Sequence, residues 1–316
     1  MKRVVGVAVA VVVALAVAGV VWLQVGSGVG GQPAKAAKAA KAAEAPKAKV
    51  AATVKVPIAS KTYSLTAGGL KRSYEVIAPV KAPPPSAPVI VMLSGIYSSV
   101  AQEISRDYLV PYANYNMAEV VYPVAYGTSW NAITCCGAAA AKNVDDLAFL
   151  KALVAKVDPG HARQIYLVGY SNGARMAFRV ACDEPTLFDG YASVKGGPTP
   201  GCLMRKPVNM IQLAAVNDPE VPYKPAPNGK PQSQTPMTTV VSGLRTVDQC
   251  TATSTEAHSG NMTLTTWTAC AGGNRIGFAV WSSGVHSFPR PPASVPAASQ
   301  VIWAFFTKSP IAPLPK

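Results

Sequence analysis

The sequence predicts an α/β fold: a mainly parallel, twisted sheet with helices on both faces. Short apolar runs of strand length alternate with helix-like segments through most of the chain, the pattern of strand–helix–strand units. One such run, QIYLVGY, passes into a helix-like stretch, ARMAFRVAC, through Gly169-Tyr170-Ser171-Asn172-Gly173, the strand, tight turn and helix in which G-x-S-x-G acts as a nucleophile elbow. The chain has 316 residues, and the roughly 260 beyond a non-globular N-terminus suffice for one large core.

The N-terminus separates into two segments before that domain. Residues 1–25 begin Met1-Lys2-Arg3 and continue without charge from Val4 to Val25, long enough to span a bilayer. A small-x-small site at Ala16 to Ala18 permits signal cleavage, whereas Val20, Val21, Trp22 and Leu23 prolong the apolar run and favour a retained anchor. Lys35, Lys38 and Lys41 beyond it oppose the positive-inside bias. Either way the domain at 57–316 is exported: secreted, periplasmic, or tethered to the outer face of the cytoplasmic membrane.

Residues 26–56 form a Gly-rich, then Ala/Lys-rich tether, AKAAKAAKAAEAPKAK, with no face to bury. Residues 1–61 hold nine Lys/Arg against one Glu, which is +8 of the total +14. Half the apparent basicity is therefore tether. The domain shows no basic helix interleaved with aromatics, so nucleic acid is excluded as a partner and membrane contact is confined to the N-terminal segment.

Along the domain, strands are predicted near Arg72–Ala78, Val89–Leu93, Glu119–Val124, Gln164–Val168, Tyr191–Val194, Val208–Val216 and Arg275–Trp281. NVDDLAFLKALVAKV reads as a helix opened by Asp145 and Asp146, acids that favour its N-terminal dipole. A last helix around Ser299–Phe306 would cover one sheet face through Val301, Ile302, Phe305 and Phe306.

At the elbow, Ser171 must adopt a positive φ, and the residues two before and two after must lack a Cβ. Gly169 and Gly173 meet that need. A serine hydroxyl also needs a histidine base oriented by a carboxylate, and the chain has three histidines. His161 precedes the strand leading to Ser171, so it falls at the opposite edge of the sheet. His258 lies in TATSTEAHSGNMT, which reads as a solvent-facing loop. His286 follows the strand-like RIGFAVWSSG, at the carboxyl edge where open α/β sheets bind ligands, and is assigned as the base.

The acids sort in the same way. Asp189 precedes a strand, and Asp145 and Asp146 open a helix. Asp218 directly follows VNMIQLAAV at the productive edge and is the expected acid, with Glu220 and Asp248 as rivals. The chain order Ser171, Asp218, His286 is that of the α/β-hydrolase fold.

Six cysteines in an exported chain point to disulfides. Cys250 and Cys270 flank the polar insertion holding His258, and Cys182 and Cys202 bracket the strand at Tyr191–Val194. Adjacent Cys135 and Cys136 leave their own pairing open. Their loop, YGTSWNAITCCG, follows the strand EVVYPVA, which places Trp130 either at the substrate rim or packed in the core.

The strings RSYEVIAP, TSWNAITCCG, NVDDLAFL, YLVGYSNGARMAF, NDPEVPY and GVHSFP resemble the polyhydroxybutyrate depolymerase and feruloyl esterase-like family of secreted α/β-hydrolases, from about residue 60 to the C-terminus. The resemblance implies Ser171 as nucleophile, Asp218 as acid and His286 as base. It also implies an oxyanion hole from the backbone amides of Asn172 and Ile96, with no metal or organic cofactor. The family usually has His-Gly after the third strand; here Ser94-Gly95 stands in VIVMLSGIYSS, at the expected rim of the substrate site. Three function classes follow: a carboxylic ester hydrolase acting on short-chain, hydroxyalkanoate, feruloyl or acetyl esters; an acyltransferase using the same acyl-enzyme; and a catalytically silent surface binding protein.

Overall fold

The computed structural model describes residues 55–230, 232 and 234–313. The apolar segment expected at 1–25, and the tether at 26–56 except its last two residues, lie outside the described residues. Among the described residues no helix is long and apolar enough to cross a membrane.

Ten strands and seven α-helices are described, in the order β1 (Ile58–Ala67), β2 (Leu70–Pro79), β3 (Val89–Leu93), α1 (Val100–Asp107), α2 (Val110–Asn114), β4 (Glu119–Pro123), α3 (Gly137–Ala141), α4 (Asp146–Val157), β5 (Ile165–Tyr170), α5 (Asn172–Asp183), β6 (Gly190–Val194), β7 (Met210–Ala215), α6 (Met237–Val247), β8 (Thr255–Ser259), β9 (Met262–Trp267), β10 (Ile276–Trp281) and α7 (Ala298–Thr307). They form one sheet ordered β1-β2-β4-β3-β5-β6-β7-β10-β9-β8. The strands from β4 to β10 in that order pair in parallel, and antiparallel pairs flank them at both ends.

Burial on both faces explains why the central strands are uninterrupted apolar runs. In β3, Val89, Val91 and Leu93 join the cluster under α4, α5 and α6, with Phe149, Leu150, Met176, Phe178, Val240 and Leu244. Ile90 and Met92 point the other way, into the cluster under α2 and α7 with Tyr112, Val301, Ile302, Phe305 and Phe306, as a period of two requires. The last helix therefore covers its face through the four side chains expected.

Three strands depart from expectation. The segment around His258 is not a loop: it is β8, paired throughout with β9. β1 pairs with β2 over its full length. β8 and most of β1 face solvent, so neither carries an apolar signature; backbone pairing is their main tie to the sheet, with Ile58, Leu65 and Ala67 of β1 also packing on the core. β9 is buried only in part and is missed for the same reason.

Parallel register fixes what stands at the working edge. Leu93 pairs with Gly169, Tyr170 with Val194, Val194 with Leu213 and Ala215 with Trp281. The residues that follow, Ser94, Ser171, Lys195, Asp218 and the loop to His286, therefore all leave the sheet on one side.

Candidate active site

Ser171 caps α5 with φ 52° and ψ −113°, the left-handed region that costs a non-glycine residue about 1–3 kcal/mol. The surroundings over-determine it. A Cβ on Gly169 would collide with the Gly173 carbonyl, and one on Gly173 with the Leu93 carbonyl, so strand, turn and helix approach more closely than any side chain allows. The Ser171 amide is held by Val194 O at 2.9 Å.

His286 Nε2 lies 2.9 Å from Ser171 Oγ. Its Nδ1 is 3.2 and 3.1 Å from the two oxygens of Asp218. Asp218 Oδ1 also accepts from the amides of Glu220 at 2.9 Å and Val221 at 3.0 Å. Burial pushes the Asp218 carboxyl up, but the bond to His286 and those two amides outweigh it and hold it below the usual carboxylate range. Tyr170 stacks on the imidazole at 5.7 Å between centroids and donates its hydroxyl to His286 O at 3.0 Å. Burial pushes that hydroxyl up to about 12, so it remains a donor.

The rival acids lie elsewhere or play another part. Asp248 is buried at the opposite edge, accepting from Val208 N at 3.3 and 3.1 Å. Glu220 Oε2 is 3.6 Å from His286 Nε2, on the serine side, with its side chain 64% exposed. His161 pairs with Asp189 at 3.0 Å, and Asp189 also accepts from Ile165 N, at the start of β5 and away from the site. His258 faces solvent beside Glu256. Asp145 caps α4 by accepting from Ala148 N at 2.9 Å.

The Ile96 amide makes no hydrogen bond to any described residue, and the Asn172 amide begins α5, where a helix leaves its N–H groups unpaired. Both amides are free to receive an anion. Gly95 stands close by, since a Cβ there would lie 3.5 Å from Ser171 Cβ.

The rim expectation is corrected. Trp130 is fully buried, its Nε1 donating to Ser94 O at 3.1 Å, with Arg72 over its ring at 5.8 Å. Large apolar area and a satisfied N–H make the core its better environment. Ser94 and Gly95 are buried as well, because the chain there passes beneath Tyr170 and Ser171; they floor the site. The exposed aromatic beside Ile96 is Tyr97, 75% exposed.

Three features were not read from sequence. Asn172 grips the Trp130 peptide with its side chain, accepting from the N–H at 2.7 Å and donating to the carbonyl at 3.0 Å. Cys135 and Cys136 pair with each other and lie 3.9 and 3.5 Å from Asn172 Nδ2. Formation of Cys182–Cys202 and Cys250–Cys270, as expected, leaves them no other partner. Lys195 is buried beside Asp218; its only trace in the sequence is a charge directly after the apolar strand in YASVKGG. Among the described residues no group of three His, Cys, Asp or Glu is placed to hold a metal.

The chain is similar in structure to the acetyl xylan esterase from Aspergillus awamori, with a TM-score of 0.53 and 12% identity, covering 80% of this chain and 100% of that one. A thermostable esterase superimposes with a TM-score of 0.50 and 16% identity, covering 79% of this chain and 60% of that one. The fold is that of the α/β-hydrolases. In sequence the chain is 28% identical over 181 residues to "Putative esterase NocK" of Nocardia uniformis subsp. tsuyamanensis, covering 53% of this chain and 52% of that one. It thus spans about half the length of the curated relative it matches. No protein-family model matches it.

Proposed function

We propose that this chain is an exported serine carboxylic ester hydrolase of the polyhydroxybutyrate depolymerase and feruloyl esterase-like group, acting on short-chain, hydroxyalkanoate, feruloyl or acetyl esters. The observation that carries the reading is the 2.9 Å contact of His286 Nε2 with Ser171 Oγ, on a serine held at positive φ, with Asp218 on the far nitrogen. Likeness in fold to two esterases supports the reaction class.

Ser171 Oγ attacks the ester carbonyl as His286 takes its proton, and Asp218 holds the imidazole in the tautomer that leaves Nε2 free. The Ile96 and Asn172 amides receive the oxyanion; losing one such donor typically costs about 100-fold to 1,000-fold in rate. His286 then returns the proton to the leaving alcohol. Water, deprotonated by the same imidazole, releases the acid. Three disulfides support export, as does the uncharged N-terminal run, with the lysine-rich segment spacing the domain from a membrane.

A fluorophosphonate label mapped by mass spectrometry, with hydrolysis of p-nitrophenyl esters, tests the proposal. Label on Ser171, and loss of at least about 10⁴-fold activity in Ser171→Ala, are expected. An unlabelled serine in folded protein overturns the reading. Added acceptor alcohols with product analysis separate hydrolysis from acyl transfer.

A further inference from the structure

Lys195 is 2% exposed and has a φ of 52°, directly after β6. A buried ammonium is costly unless paired. Its Nζ donates to the Val285 carbonyl and lies 3.8 Å from Asp218 Oδ2, with both side chains almost wholly buried. A Cβ on Gly284 would come within 3.5 Å of the same nitrogen, so the backbone leading to His286 lies close against the cation. One charge thereby touches the turn that carries the acid and the loop that carries the base.

We propose that Lys195 is a positioning residue for the Ser171–His286–Asp218 array: it ties the acid turn to the base loop and sets its positive charge against the carboxylate that orients His286. The inference rests on the esterase reading.

The other charges around the imidazole do not replace it. Asp218 contacts Nδ1, and Glu220 lies 3.6 Å from Nε2; both carry the sign opposite to that of Lys195. Arg106 stands behind the Tyr170 ring at 5.7 Å, with Glu103 at its side, and Arg175 lies near enough to act on Glu220. Among the described residues Lys195 is the one lysine or arginine within salt-bridge reach of Asp218. Desolvation holds the Lys195 ammonium below its usual range, with the Asp218 carboxylate acting in the opposite direction.

The test is the pH dependence of kcat/KM for p-nitrophenyl acetate in wild type, Lys195→Met, Lys195→Gln and Lys195→Arg, with thermal melts of each. In Lys195→Met the acid limb moves to higher pH by about half a unit to one unit, and plateau kcat falls about tenfold with little change in KM. Lys195→Gln keeps a donor for Val285 without the charge: its limb moves equally, while its plateau recovers in part. Lys195→Arg keeps the limb near wild type. A limb in Lys195→Met that coincides with wild type overturns the proposal, since a merely structural lysine lowers activity at every pH alike. So does failure of both uncharged variants to fold, which makes Lys195 a folding requirement only. An inert wild type removes the esterase reading and this inference with it, whereas an active wild type with unmoved variants removes this inference alone.

Discussion

Asn172 and Trp130 are joined by two hydrogen bonds between one side chain and one peptide: Oδ1 accepts from Trp130 N at 2.7 Å, and Nδ2 donates to Trp130 O at 3.0 Å. The residue following Ser171 thus anchors the loop beside it. Asn172→Ala leaves a buried donor and a buried acceptor unpaired, which should cost about 2–4 kcal/mol. Urea unfolding measures the loss, and an unchanged midpoint would show the grip to be incidental.

Asp218→Asn keeps an oxygen for the Glu220 and Val221 amides but can no longer favour the tautomer that leaves Nε2 as acceptor. We expect ester hydrolysis to fall about 10⁴-fold with the fold intact. Glu220→Gln, at an exposed position on the serine side, should change the rate by less than about threefold. The reverse ranking would transfer the acid's role to Glu220.

Glu103 is fully buried, and desolvation pushes its carboxyl up to about 7 against the opposing Arg106 charge and Gly95 amide. A raised folded value means that the native state holds the proton more tightly than the unfolded chain. This contribution is therefore fully present below about 4.5 and is lost as pH rises to about 7. Asp107, Asp146 and Asp248 are pushed the same way. Glu103→Gln should be stabilised relative to wild type at pH 8 by on the order of 1–3 kcal/mol, with the difference vanishing near pH 4. Denaturant melts at the two pH values check it; a constant difference refutes the assignment.

Cys250–Cys270 closes a loop with a sequence separation of 20, spanning β8 and β9 at the end of the sheet. Replacing both by serine should lower stability by about 3 kcal/mol. Ester hydrolysis at 25 °C should stay within about twofold of wild type, because neither cysteine touches the site. Loss of activity without loss of stability would contradict that separation.

Sequence reading succeeded where burial leaves a chemical trace. β3, β5, β6 and β7 are covered on both faces and so appear as apolar runs. The elbow is legible because Gly169 and Gly173 are demanded by backbone contact, and His161 and His286 could be told apart because strand direction decides which edge each occupies. β1 and β8 left no trace, since exposed edge strands are held by backbone pairing and their side chains obey no pattern. Trp130 could not be assigned to rim or core from its neighbours, because its surroundings, Ser94, Arg72 and Asn172, are distant in sequence. Lys195 shows the same limit: its charge is visible in YASVKGG, but its partners lie at 218 and 285.

The position of β5 in the sheet sets how heat should disable the protein. With four strands on one side and five on the other, β5 carries Ser171 on the part of the structure that opens last. Outer strands can breathe first, since local opening ranges from almost no cost at margins to the global unfolding energy at the centre. Amide protons in β8 should exchange with solvent long before those in β5, and Ser171 should remain reactive toward the phosphonate until the whole domain melts.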